Sequence, residues 1–145
     1  MIELTLILAV GSLVLVLPAI GWICARIGGW SALAREYGSG SLSSATCVRG
    51  QDLALGWMNY SQAVTYCVGP EGLRLSMLWL FRFGHRTLLI PWSAIEFERP
   101  LQGRWPFRAA KLRIACGPRS IRATISPKAY ELIREHAAAQ LRDLA

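Results

Sequence analysis

Glu96 and Glu98 alternate along one apolar stretch and are the nearest thing in this chain to a pair of carboxylates that could share acid and base work. The arginines around them argue for surface ion pairs instead. Asp52 and Asp143 are the only aspartates, so a Ser-His-Asp arrangement has little material. His85 and His136 stand far apart in sequence, without cysteine or carboxylate partners at ligand spacing. Cys24, Cys47, Cys67 and Cys116 form no CxxC pattern and read as small apolar fillers in a reducing compartment. The GxSxG, GxGxxG, HExxH and phosphate-loop signatures are absent. The expectation is no enzyme, no metal site and no cofactor.

The remaining chemistry is that of contact. Met77 to Phe83, MLWLFRF, is almost wholly apolar and runs into Gly84-His85-Arg86. In a strand, neighbouring side chains point to opposite faces, so Trp79, Leu80, Phe81 and Phe83 cannot all enter one core. Trp79, Phe81, Arg82, Phe83, His85 and Arg86 therefore make a candidate surface for a membrane or a protein partner; the alternative is a loop that folds back and buries them. From Arg99 through Tyr130 there are basic residues and no acid, and Arg108, Lys111, Arg113 and Arg122 are the candidate basic face. Such a field attracts anionic lipid when it lies next to a membrane, or else merely keeps a domain soluble. Nucleic acid is not the expected partner, because the basic strands lack interleaved aromatics for base stacking, apart from Trp105 and Phe107 in the preceding loop.

These groups must be positioned by an unusual N-terminal stretch. Leu4 to Ala25 holds no charge and lies between Glu3 and Arg26. As a helix it extends about 33 Å, enough for one membrane span. The Met-Ile-Glu opening lacks the basic start of a secretory signal, and the apolar run is too long for one. Glu3 is the only charged side chain in the first 25 residues, so the remainder carries +8 of a total +7. Arg26 and Arg35 flank the exit of the span, which predicts the N-terminus outside and the rest at the cytoplasmic face of the inner membrane.

After the span, residues 27–44 divide into a short amphipathic helix and a linker. Trp30, Leu33, Ala34 and Tyr37 share one helical face, directed at the membrane interface or at the domain, with Ser31 as a candidate cap. GSGSLSS, Gly38 to Ser44, reads as a flexible connection. Residues 45–145 then alternate as strands. An irregular stretch from Thr46 to Trp57 precedes Ala63–Val68, a Gly69–Gly72 turn, Leu73–Met77, Leu88–Pro91 and Ile95–Glu98. A loop from Pro100 to Pro106 is expected to end the last of these. Lys111–Cys116 and Ile121–Ile125 form a hairpin with Lys111, Arg113 and Arg122 on one outer face. Ser126 and Pro127 start a closing helix whose apolar stripe is Tyr130, Ile133, Ala137, Leu141 and Leu144. The fold class is α+β: a membrane helix, then an antiparallel barrel or sandwich of about seven strands, plugged by the C-terminal helix.

The EGLRLSM strand, the run FRFGHRTLLIPWSAIEFE and the SPKAYELI helix start together resemble bacterial membrane-anchored proteins with a PH-like or GRAM-like domain, over residues 45–136. The resemblance implies a PH-like barrel whose ligands are lipids or proteins. It departs from phosphoinositide binders in lacking any basic residue between Arg49 and Arg74. The expected role is a membrane-anchored binding module contacting a protein partner or anionic lipid; the other reading is a small structural subunit of a membrane complex.

Overall fold

A computed structural model describes residues 1–38, 40–104 and 108–143. The side chains of Leu101 and of residues 140–143 are not described. Trp105, Phe107 and Leu144 lie outside the described residues, as does the side chain of Leu141.

The charge-free N-terminal stretch is helical from Ile2 to Ile27 (α1), and Pro18 sits within it without ending it. With a mean hydropathy of 2.5 and no buried residue in its most apolar window, α1 is long and apolar enough to cross a membrane. A corner at Gly28-Gly29 leads into α2, Trp30–Tyr37. Gly29, in the left-handed region, takes the N-cap position expected for Ser31, and no side chain caps the helix. Trp30 and Leu33 are fully buried in the main core, so the amphipathic face turns to the domain and not to a membrane.

Seven strands follow: β1 Thr46–Leu55, β2 Met58–Gly69, β3 Gly72–Met77, β4 Leu88–Pro91, β5 Ile95–Gln102, β6 Ala109–Cys116 and β7 Arg119–Ile125. All pairings are antiparallel, in the order β4-β3-β2-β1-β7-β6-β5. The two edge strands, β4 and β5, are consecutive in the chain, joined only by a single 3-10 turn at Trp92–Ala94. Laid flat, seven strands would set those edges about 29 Å apart. The chain from Pro91 to Ile95 reaches at most about 14 Å. The sheet must therefore curl, and it forms a half-barrel.

β1 is irregular where expected, with register shifts on either side of Gln51. β5 is not broken at Pro100 but runs to Gln102. As an edge strand it tolerates a proline that donates no ladder hydrogen bond. The reading of the cysteines as separate fillers fails for two of them: Cys47 and Cys67 face each other across β1 and β2 and form a disulfide, while Cys24 and Cys116 are free thiols.

The inner side of the sheet carries Leu53, Leu55, Leu73, Leu75, Leu88, Ile90, Leu112, Ile114 and Ile125, all essentially inaccessible. Each contributes about 2 kcal/mol by burial, whereas an exposed ion pair contributes at most about 1 kcal/mol. The apolar interior therefore holds the fold. α3, Pro127–Asp143, closes it by packing on β1, β2 and β6. Ser126 caps it, its Oγ accepting the Ala129 N–H at 3.3 Å. Of the expected stripe, Ile133 is buried and Tyr130 half-buried, meeting Phe97 edge to face, but Ala137 is exposed, and Ala129, outside that stripe, is buried instead because the helix presents its first turns to the sheet.

Candidate functional site

The last turns of α1 dock on the domain. Ala25 is fully buried and belongs to the main core, and Pro18, Gly21 and Cys24 are partly covered. The close approach is made by two glycines. A Cβ on Gly21 would stand 2.8 Å from the Phe83 carbonyl oxygen, and one on Gly84 would stand 2.8 Å from the Trp22 Cα. Gly84 also has φ +76°, a conformation that glycine adopts without steric cost. The segment between β3 and β4 is thus laid directly along the end of α1.

Within that segment the aromatics are not core. Trp79 is 74% exposed, Phe81 47% and Phe83 52%, and Trp79–Phe81 form a 3-10 turn. The fold-back that would have buried them does not occur. Arg82 and Arg86 are exposed as well. His85 is different: at 4% exposure it cannot belong to a contact surface. Its Nδ1 lies 3.1 Å from the Phe83 carbonyl and its Nε2 lies 3.1 Å from the Tyr60 hydroxyl. A carbonyl only accepts, so Nδ1–H donates to Phe83, and in the neutral ring the Tyr60 O–H donates to Nε2. Burial favours that neutral form and holds the His85 pKa below its ordinary value. Burial, with Cys24 nearby, pushes the Tyr60 hydroxyl up to about 12. Trp30 packs edge to face on both rings and donates its indole N–H to the Arg86 carbonyl at 2.8 Å. His85 therefore positions the loop from beneath.

Two cavities flank this histidine. One, of about 250 Å³, is mainly apolar and lies between Leu17, Ile20, Gly21 and Cys24 of α1, Met58, Asn59, Tyr60, Ser61 and Ala63 of β2, and Leu80, Phe81 and Phe83. The other, of about 380 Å³, is lined by Trp22, Arg26, Arg35, Arg82 and Arg86 among others, with no Asp or Glu.

The candidate basic face is less continuous than expected. Arg113 and Arg122 oppose one another across β6 and β7, but both reach Glu98, at 3.1 Å and 3.4 Å. Lys111 lies opposite Thr124, and Arg108 stands apart, near Lys128 and Asp52. Glu98 thus acts as the ion-pair partner expected of it. One residue escaped sequence reasoning: Trp57, 93% exposed at the tip of the β1–β2 hairpin. It follows Gly56 in a two-residue turn packed beside Gly28 at the end of α1. A tryptophan next to a turn glycine was the available signal, hidden by assigning Trp57 to the strand. Among the described residues no group of His, Cys, Asp and Glu could hold a metal ion.

No family model, curated protein or solved structure matches this chain.

Proposed function

We propose that this chain is a single-pass, membrane-anchored binding module, with a PH-like sheet domain seated on the bilayer surface where it contacts anionic lipid or a membrane-bound protein partner. The supporting observation is a length. The part of α1 free of the domain, Ile2 to Val16, extends only about 22 Å, against about 30 Å of hydrocarbon. The deficit has to be met by Leu17 to Ala25, the turns that already face the domain. The headgroup boundary then falls beside Gly21 and Phe83, and Trp57, Trp79, Phe81 and Phe83 occupy the interfacial depth that aromatic residues favour.

A seating at the cytoplasmic face of the inner membrane is supported by Arg26 and Arg35, the positive charges nearest the exit of α1. The Cys47–Cys67 bridge pulls the other way, since disulfides persist in oxidising compartments. We give the arginines precedence because Cys47 is exposed, leaving the bridge open to cytoplasmic reductant.

Spin labels introduced at Trp57→Cys, Trp79→Cys and the exposed Lys128→Cys, with all four native cysteines replaced by alanine, test the seating in reconstituted bilayers. Oxygen should relax the first two far more than an aqueous nickel chelate does, and Lys128→Cys should show the reverse. Aqueous behaviour at all three positions would overturn the reading.

A further inference from the structure

The two cavities on either side of His85 differ in chemistry and have only that residue in common. The polar cavity presents four guanidinium groups, from Arg26, Arg35, Arg82 and Arg86, with no lining carboxylate. None of the four is in an ion pair among the described residues. Arg26 lies over the Trp22 ring at 4.2 Å, and Arg82 donates its Nε–H to the Met77 carbonyl at 3.4 Å, which leaves their terminal N–H groups without a carboxylate partner among the described residues. Guanidinium groups lining one cavity suit the oxygens of a phosphate. The apolar cavity begins on the other side of His85 and runs along Leu17, Ile20 and Cys24, on the helix assigned above to the bilayer.

We propose that the arginine cavity binds the phosphate of one anionic phospholipid, between Arg26, Arg35, Arg82 and Arg86, with its acyl chains left in the bilayer beside α1. The inference rests on the membrane-seated reading and deepens it. A lipid is favoured over a soluble phosphate because Trp22 and Arg26, at the end of the anchor itself, line the anion site. The arginine cavity has no lining residue from the first hairpin, which carries no basic residue between Arg49 and Arg74.

Native mass spectrometry of the full-length protein, extracted in mild detergent and offered phosphatidylglycerol or phosphatidylcholine, tests it. One phosphatidylglycerol per chain should be retained in preference to phosphatidylcholine. The double variant Arg82→Gln/Arg86→Gln should weaken retention about 30-fold, two cationic contacts at about 1 kcal/mol each. Arg35→Gln, on a different element, should weaken it about fivefold on the same scale. Equal retention of the two lipids, or retention untouched by these variants, overturns the proposal. So does complete displacement by equimolar glycerol 1-phosphate, which would mark a site for soluble phosphate. The spin-label depths separate the two levels: membrane depth without lipid selectivity removes the phosphate site but keeps the seating, whereas aqueous depths remove both.

Discussion

The Phe83 carbonyl oxygen occupies the space that a side chain at Gly21 would need, 2.8 Å from where its Cβ would stand. Helix and loop can meet there only while position 21 is glycine. Gly11, on the same helix, has nothing within 4 Å and is the natural control. Replacing either with alanine gains about 1 kcal/mol of helix propensity. At position 21 alone the clash opposes that gain by about 1–3 kcal/mol. We expect Gly21→Leu to lower the thermal midpoint in detergent and to speed tryptic cleavage at Arg82 and Arg86. Gly11→Leu should do neither.

The neutral His85 makes stability depend on acidity. Its folded pKa lies below the unfolded value of about 6.5, so the unfolded chain binds the proton more readily. Its contribution is complete above about 6.5 and is lost progressively as the pH falls toward the folded value. The groups in contact are the Tyr60 hydroxyl and the Phe83 carbonyl, and Arg82 and Arg86 border the same cavity. Unfolding curves at pH 7.5, 6.5 and 5.5 should show declining stability in the wild type and a flatter profile for His85→Gln. Tyr60→Phe, which strips Nε2 of its donor, should cost about 1–3 kcal/mol at neutral pH.

The Cys47–Cys67 bond closes a loop of twenty residues' separation, so its reduction should cost the isolated protein about 3 kcal/mol. In cells the same pair reports the side of the membrane. With the domain in the cytoplasm, Cys47 should react with maleimide only after the inner membrane is permeabilised, and without prior reduction. A pair that resists labelling until it is reduced from outside would place the domain on the oxidising side.

Trp79 and Phe81 contribute little to the core, so Trp79→Ser/Phe81→Ser should leave the melting temperature nearly unchanged. Membrane seating should suffer instead, read as a more aqueous spin label at position 57. A large fall in melting temperature with unaltered depth would make these side chains structural.

Much of the architecture could be read locally. The charge-free α1, the alternation of Leu73, Leu75 and Met77, and the Ser126 cap each depend on neighbours in sequence, and each is where it was expected. What escaped depends on distant pairings. The partner of Cys47 lies one long, bulged hairpin away, and nothing near either cysteine signals that register. The run through Pro100 required knowing that β5 is an edge. The aromatic run from Met77 to Phe83 was recognisable as incompatible with one strand. Its place beside α1 was not, because that depends on Gly21 and Gly84 meeting across more than sixty residues.

Ala25 joins the end of the anchor to the interior of the sheet, so the two cannot swivel independently. A tether of this kind behaves as a lever more than as a leash. A thicker or thinner membrane would be answered by a tilt or vertical shift of the entire body, and not of the helix alone.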